Sequence, residues 1–158
     1  MSKVTSSKNL KRKNITRHVD LRDLLERFKA IEELETIEGA NWNLEIAALS
    51  EQVCSRNPGN APALLFKKIK DYPENFRILS GAANSFKRLA IVLGFPEPKT
   101  ELDLVQSYRD RMKEDFKLIP PEQVNTGPIM ENVDRDEEVD LYKFPVPFIH
   151  EHDGGRYI

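Results

Sequence analysis

The sequence predicts an α/β (α+β) amino-terminal domain over residues 20–120, followed over residues 121–158 by a segment with a different, extended pattern. Two features of the first part support this division: apolar residues recur at helical spacing in several stretches, and short continuous apolar runs lie between them. The third observation is the pair Pro120-Pro121, which ends the last helical stretch and marks the best domain boundary.

Four helices are predicted in the first part. Asp20 is a good N-cap for a helix over about residues 21–34, because its carboxylate can accept a hydrogen bond from a free backbone N–H of the first turn. Asn43 can cap the second helix, which stops at the breaker Asn57-Pro58-Gly59. Gly94 closes the third helix, as glycine does at the C′ position. The apolar faces of the four helices are, in order, Leu21, Leu24, Leu25, Phe28 and Ile31; Ile46, Leu49 and Val53; Phe86, Leu89, Ala90 and Leu93; and, over residues 101–115, Leu102, Val105, Tyr108 and Met112.

Three short strands are predicted between these helices. Residues 35–38 can form the first, and Ala63-Leu64-Leu65-Phe66 suits a buried strand because its apolar run is continuous. Residues 76–79 form the third, after which Ser80-Gly81 turns the chain into a helix. Trp42, the only tryptophan, is expected to pack beside the second helix.

The second part has a different pattern. Pro128–Val133 is predicted to be a strand, and Asp134–Asp140 is predicted to be an acidic turn. Pro145-Val146-Pro147 is extended, because proline fixes its own φ and restricts the residue before it. Asp153–Ile158 is predicted to be a turn followed by the beginning of another strand.

Net charge is −2 but unevenly distributed: the first 17 residues carry six basic side chains and no acid, and the remainder carries 18 basic against 26 acidic side chains. Residues 1–19 are therefore predicted to be a basic, disordered arm. A mitochondrial presequence is an alternative, weakened because only Val4, Leu10 and Ile15 could form an apolar face. A nucleic-acid-binding arm would need a basic folded part, and this one is acidic.

The composition favours a cytoplasmic protein without a membrane span. The longest apolar run, Leu89–Leu93, has five residues, whereas a span needs about 20. The start lacks the apolar core of a secretory signal. Cys54 is the only cysteine, so the chain cannot form an internal disulfide. Cys54 is predicted to be a partly buried structural thiol, because the carboxyl end of a helix disfavours a thiolate.

Two places near the carboxyl end carry the residue types of a binding site. If His150-Glu151-His152-Asp153 is extended, both imidazoles lie on one side and could bind a metal; an exposed loop is the favoured interpretation. Gly154-Gly155 could let a phosphate approach and Arg156 could pair with it, although a tight turn with positive φ is favoured. The acidic run Asp134–Glu138 could bind a cation, yet such runs are usually solvated.

Several segments, in this order, resemble the UbiD family of carboxy-lyases over about residues 20–158. The earlier ones are Leu21-Arg22-Asp23-Leu24-Leu25-Glu26, Pro62-Ala63-Leu64-Leu65-Phe66, and Arg88-Leu89-Ala90 with Leu93-Gly94. The most specific cluster comes last, and consists of Glu138-Val139-Asp140-Leu141, Phe144-Pro145-Val146-Pro147, His150, and Asp153-Gly154-Gly155-Arg156-Tyr157-Ile158.

The resemblance implies reversible, non-oxidative decarboxylation of aromatic or α,β-unsaturated carboxylic acids. It also implies prenylated FMN, held with Mn²⁺ and K⁺; the flavin serves as an electron sink, as expected where a cofactor carries the difficult chemistry. In the family an amino-terminal α/β domain leads into a split β-barrel that binds the flavin. Residues 121–158 would then supply only the first strands of an incomplete barrel.

The family's catalytic Glu-Arg-Glu set and its main flavin and metal ligands lie beyond the last matching segment, so the resemblance assigns no catalytic or metal residue. It places Gly154, Gly155, Arg156 and Tyr157 near the flavin pocket. The sequence therefore predicts an amino-terminal fragment of a UbiD-family decarboxylase that is inactive alone. The alternatives are a short binding or assembly module that pairs with a full-length homologue, and one half of a split enzyme. The expected partners are a second copy or a complementing chain, without nucleic acid or membrane; the substrate acid stays open.

Overall fold

The structure is a computed structural model that describes residues 20–114 and 118–157; the predicted arm, residues 1–19, lies outside the described residues. The helices and strands of the first part are α1 (Leu21–Ala30), β1 (Leu34–Glu38), α2 (Glu45–Arg56), β2 (Ala63–Lys67), β3 (Arg77–Ser80), α3 (Phe86–Leu93) and α4 (Glu101–Met112). Three short 3₁₀ helices follow at Pro128–Met130, Asp136–Glu138 and Leu141–Lys143.

The three strands form one sheet in the order β1-β2-β3. β1 and β2 are parallel, with Leu34 opposite Ala63, and β2 and β3 are antiparallel, with Leu64 opposite Ser80. The central strand β2 is buried from Ala63 to Phe66, which is why its sequence is continuously apolar rather than alternating. The predicted mixed α+β class and three strands are confirmed, with the bounds of β1 and β3 shifted by one residue.

Helices cover both faces of the sheet, because successive strand residues point to opposite sides. Leu64 and Phe66 of β2 pack with Ile46 of α2 in one buried cluster. Ala63 packs with Leu24 and Phe28 of α1 in the other cluster, which α3 also contacts through Ile91 and Val92. Phe28 and Phe66 are both fully buried, so each cluster removes a large aromatic side chain from water and stabilises the domain.

α1 begins where predicted and ends earlier. The Asp23 N–H donates to Asp20 Oδ1 over 2.9 Å, which confirms the N-cap. The helix stops at Ala30 rather than near residue 34, because Glu32 adopts a positive φ of 58° and reverses the chain. The Glu33 N–H then donates to the Phe28 carbonyl, a helix-ending bond. This early end brings Glu33 to the start of the sheet.

The start of α2 differs from the prediction, because Asn43 does not cap it. The N-cap position is Leu44, which makes no side-chain cap bond. Asn43 instead forms a parallel bridge with Phe148. The Phe148 N–H donates to the Trp42 carbonyl (3.0 Å), and the Leu44 N–H donates to the Phe148 carbonyl (3.1 Å). A contact with a residue so distant in the chain overrides the local capping signal.

The predicted strand Pro128–Val133 is wrong. Pro128 starts a 3₁₀ helix at Pro128–Met130, and residues 131–135 form no regular element. A strand needs a neighbour for its N–H and C=O groups, and residues 118–157 contain no strand at all. The second strand, expected to begin in Asp153–Ile158, is likewise not formed up to Tyr157. The split barrel therefore stays a prediction.

No helix within residues 20–114 and 118–157 combines the length and the apolar character that crossing a membrane requires.

Candidate functional site

The residues predicted to lie near a cofactor, Gly154 to Tyr157, follow directly after a turn. The Asp153 N–H donates to the His150 carbonyl over 3.0 Å and closes this turn. Gly155 has a positive φ of 153°, which L side chains rarely adopt, so glycine suits this position. A Cβ on Gly154 would lie 2.5 Å from the Tyr157 hydroxyl oxygen. Tyr157 is 70% exposed, so its ring could rotate away to make room.

Arg156 turns back onto the amino-terminal domain. Its Nε donates to the Val146 carbonyl over 2.6 Å, and its Nη2 donates to the Phe144 carbonyl over 3.2 Å. Nη2 also donates to the Tyr72 hydroxyl over 2.6 Å. Val146 and Phe144 belong to the carboxyl-terminal segment, whereas Tyr72 lies between β2 and β3. One guanidinium therefore joins the segment to the domain.

Aromatic rings surround the same guanidinium. The Arg156 Cζ lies 4.2 Å from the centre of the Trp42 ring, a cation–π distance. The Tyr72 and Tyr142 rings lie at 5.7 and 5.6 Å. Trp42 also packs against the buried cluster on the α2 side, as the sequence predicted. Sequence patterns gave no signal for the Arg156 contacts, because the partners lie on three separate segments.

Arg156 is engaged within the protein at Nε and Nη2 rather than free for a ligand at these two nitrogens. Two of its nitrogens donate to two carbonyls and a phenol, and the guanidinium lies over an indole ring. A phosphate that paired with Nε or Nη2 would have to displace these partners. The contacts support an anchoring role for Arg156 within the protein.

The residues with metal-ligand chemistry do not converge either. Over residues 20–114 and 118–157, no group of three His, Cys, Asp or Glu side chains is placed to hold a metal ion. His150–Asp153 is a turn rather than the extended segment that would align two imidazoles. In this turn, Asp153 Oδ2 accepts from the His150 N–H at 3.0 Å. Residues 150–153 therefore do not form a metal site by themselves, and the manganese that the family resemblance implies would need ligands from elsewhere in the complete enzyme.

A cavity of about 380 Å³ lies between α2, β3 and the segment around His150. Its lining is mainly apolar and includes Ile46, Ala47, Ile78, Leu79, Pro147 and Ile149. Cys54 also borders it and is half-buried, as predicted. The Cys54 sulfur accepts a hydrogen bond from the Asn84 side-chain amide over 3.2 Å. This hydrogen bond and the partial burial agree with the predicted structural thiol.

Arg88 of α3 is fully buried, which the sequence did not predict. Its Nη1 donates to Glu33 Oε2 over 2.7 Å, and Nη2 donates to the carbonyls of Ala61 (2.6 Å) and Gly81 (3.1 Å). Burial lowers the pKa of Arg88, and the negative charge of Glu33 opposes this shift. The cluster joins the end of α1 to the start of β2 and the turn after β3, so its role is structural.

Comparisons with known proteins give the family. Residues 25–108 match the 3-octaprenyl-4-hydroxybenzoate carboxy-lyase N-terminal domain, and residues 122–158 match the Rift-related domain of the same enzymes. The first match alone covers more than half of the chain. The chain belongs to the UbiD family of carboxy-lyases, which confirms the resemblance seen in the sequence.

Two curated relatives are decarboxylases. Pyrrole-2-carboxylic acid decarboxylase of Pseudomonas aeruginosa is 40% identical over 122 residues, which are 73% of this chain and 24% of the relative. Ferulic acid decarboxylase 1 of Candida dubliniensis is 32% identical over 130 residues, which are 73% of this chain and 25% of the relative. The chain thus spans about a quarter of the length of these relatives.

A solved structure has the same fold. The vanillic acid decarboxylase of Sedimentibacter hydroxybenzoicus (ShVdcCD) in closed form matches with a TM-score of 0.73 and 28% identity. The match covers 89% of this chain and 29% of that chain. In open form the TM-score is 0.69, with 30% identity.

Proposed function

We propose that this chain is the amino-terminal part of a decarboxylase that removes CO₂, reversibly and without oxidation, from aromatic or α,β-unsaturated carboxylic acids. The observation that carries the proposal is the ordered match of both parts of the chain, residues 25–108 and 122–158, to successive domains of one carboxy-lyase family. The names of the relatives support an aromatic acid, since pyrrole-2-carboxylate and ferulate are both aromatic. Because the chain spans about a quarter of these relatives, we propose that it is inactive alone.

In this proposal, residues 20–120 form the amino-terminal domain and residues 121–158 contribute the first strands of the split β-barrel. Gly154, Gly155 and Tyr157 lie beside the flavin pocket of the complete enzyme. Arg156 holds them in place through its contacts with Tyr72 and Trp42 of the amino-terminal domain. A barrel strand forms only when a neighbour satisfies its backbone groups, so we propose that these strands form against the rest of the barrel. Residence in the cytoplasm stays a prediction from the single cysteine.

The cofactors of the proposed enzyme are prenylated FMN, Mn²⁺ and K⁺. The flavin supplies an electron sink for C–C bond cleavage. Residues 150–153 do not form a metal site by themselves, and Arg156 is engaged within the protein, so we propose that the ligands come from other residues of the complete enzyme. What this chain contributes is placement: a folded domain that holds the Gly154-Gly155 turn at a fixed position.

A chimera tests the proposal directly. Residues 20–158 replace the matching segment of the Pseudomonas pyrrole-2-carboxylic acid decarboxylase, and the chimera is expressed together with a prenylated-FMN synthase. We expect flavin absorbance and CO₂ release from pyrrole-2-carboxylate. Two controls are expected to show neither flavin absorbance nor CO₂ release. They are the same relative without the segment and the 158-residue chain alone. A folded chimera that stays free of flavin would contradict the proposal, as would decarboxylation by the 158-residue chain alone.

A second candidate is a split enzyme or an assembly module, in which another chain supplies the missing part. It is favoured by the similar structure of the Sedimentibacter vanillic acid decarboxylase ShVdcCD, which includes a separate component, ShVdcD. Large apolar side chains in residues 118–157 are also strongly exposed, among them Leu118 (90%), Ile119 (86%) and Ile129 (87%), as expected of a surface that a partner covers. Co-expression of this chain with the Pseudomonas decarboxylase that lacks the matching segment should then restore flavin absorbance, although the two parts are separate chains. Failure to co-purify would exclude this candidate.

A further inference from the structure

We propose that the amino-terminal domain carries a guanidinium-binding site, formed by Trp42 and Tyr72, and that its ligand is Arg156 of the same chain. Occupation of this site holds the segment of residues 141–157, here called the strap, on the domain. Three kinds of contact coincide at one side chain: an aromatic ring beneath the cation, a phenol that accepts from it, and strap carbonyls that accept from it.

The site matches the chemistry of a guanidinium group. The ion is planar, so one face can lie on the Trp42 ring while N–H groups donate in the plane at its edges. Nε and Nη2 have separate acceptors, Val146 O and Tyr72 Oη, each at 2.6 Å. A lysine ammonium is a compact point charge without a planar array of N–H donors. It could keep the cation–π contact or one hydrogen bond, but not both hydrogen bonds together with the ring contact.

Other contacts also hold the strap on the domain. Its single backbone connection to the domain within the described residues is the isolated bridge between Asn43 and Phe148. Several apolar strap residues remain exposed, among them Leu141 at 61%, Tyr142 at 74% and Phe144 at 49%. Apolar contact adds to the bridge at a few strap residues: Phe144 meets Phe76 edge-on with ring centroids 6.2 Å apart, and Pro145 is buried. Over residues 20–114 and 118–157, Arg156 adds the only charge-assisted hydrogen bond between side chains of the strap and the domain, and such a bond is about twice as strong as a neutral one.

The consequence concerns the Gly154-Gly155 turn, which directly precedes Arg156. Fixing Arg156 on Trp42 also fixes the turn relative to the domain. This part of the inference rests on the proposed function, since only there does the turn border a flavin. The attachment itself needs no cofactor, so it can be tested on the 158-residue chain, and its failure would leave the proposed decarboxylase function untouched.

The experiment measures hydrogen exchange and tryptophan fluorescence in the 158-residue chain. Trp42 is the only tryptophan, so the emission reports on the site itself. The amides of Leu44 and Phe148, which donate across the bridge, report on strap attachment; the β2 amides report on the domain. The variants are Arg156→Ala, Arg156→Lys and Tyr72→Phe. The control is Arg135→Ala, which removes an exposed arginine near the strap.

For Arg156→Ala we expect exchange at Leu44 and Phe148 to accelerate about tenfold or more, the factor that corresponds to one charge-assisted hydrogen bond. Trp42 emission should shift to the red because its ring gains water, while the β2 amides and the Arg135→Ala variant stay unchanged. For Arg156→Lys, the exchange rates at Leu44 and Phe148 and the Trp42 emission should lie between those of Arg156→Ala and those of the parent chain. Unchanged exchange and emission in Arg156→Ala would overturn the proposal, and a lysine variant equal to the parent would overturn the guanidinium site.

If Arg156→Ala also loses protection in β2, the domain itself is destabilised, and the Tyr72→Phe variant then tests the site. That variant keeps Arg156 and both rings and removes only the acceptor hydroxyl. Faster exchange at Leu44 and Phe148 with intact β2 protection would support the site, and unchanged exchange at those two amides would overturn it.

Discussion

The Glu33 carboxylate meets the fully buried Arg88 guanidinium at 2.7 Å, across 55 residues of sequence. Glu33 itself keeps 19% of its side chain exposed. Arg88 Nη2 additionally donates to two backbone carbonyls, while its Nε is buried without a partner in the described structure. A buried arginine in such a setting depends on its carboxylate, because an unpaired charge away from water is strongly unfavourable.

Glu33→Gln is therefore expected to lower the free energy of unfolding by about 3 kcal/mol, since it leaves the Arg88 charge without its counterion. Urea denaturation followed by circular dichroism measures the change. The denaturation midpoint should fall while the slope of the free energy against urea concentration stays constant. A changed slope would show that the variant no longer unfolds in the same cooperative step.

The matched control is Lys68→Gln. Lys68 and Glu38 also meet at 2.7 Å, but both side chains are about half exposed. The hydrogen bond and charge of Lys68 lower the pKa of Glu38, yet water screens such a surface pair and replaces most of the lost interaction. The control should therefore lose far less stability than Glu33→Gln. Similar losses in the two variants would contradict the view that burial gives the Glu33–Arg88 pair its importance.

Local signals in the sequence predicted those parts of the fold that local forces determine. Asp20 caps α1 and Gly94 ends α3, because both act within one helical turn. Asn43 has equally good capping chemistry, yet its backbone pairs with Phe148 instead. The strand predicted at Pro128–Val133 fails for a related reason, since a strand exists only with a neighbour, which a single-sequence pattern does not show.

The end of α3 gives a second test. Gly94 has φ 71° and ψ 25°, and the Phe95 N–H donates to the Ala90 carbonyl over 2.8 Å, as in a glycine-terminated helix. Gly94→Ala should cost about 1 kcal/mol of unfolding free energy, because a Cβ is unfavourable at this left-handed position. Thermal and urea denaturation both measure it.

Gly127→Ala is the control for this substitution. Gly127 has an extended backbone (φ −174°), and a Cβ there would meet no atom within 4 Å. Its replacement should be neutral or slightly stabilising, since alanine restricts the unfolded chain. Equal destabilisation in both variants would mean that the backbone conformation of Gly94 is not what makes glycine necessary.

The candidate site was less predictable than the fold. The Gly154-Gly155 turn could be read from sequence, because positive φ favours glycine. The role of Arg156 could not, since its phenol acceptor is 84 residues away and Trp42 is farther still. An arginine after two glycines suggests a phosphate ligand from residue types alone; only the tertiary contacts show that its donors serve the protein.

The start of α4 makes the stability of that helix dependent on pH. The Thr100 hydroxyl accepts from the Asp103 N–H at 3.3 Å, and Asp103 Oδ2 accepts from the backbone N–H groups of Thr100 (2.9 Å) and Lys99 (3.0 Å). Such a capping box satisfies backbone donors that the first turn leaves unpaired. These bonds, foremost that from the Thr100 N–H, lower the pKa of Asp103.

Since the folded-state pKa of Asp103 lies below its unfolded value of about 3.9, its contribution to stability is fully present above that value. It is lost as the pH falls through the folded-state pKa, when the carboxylate is protonated in both states. Amide exchange along α4 should therefore accelerate relative to β2 as the pH drops below about 4. In Asp103→Asn the acceptor charge is absent at every pH, so this α4-specific change should disappear. If the variant and the parent chain showed the same pH profile in α4, the capping carboxylate would not be its cause.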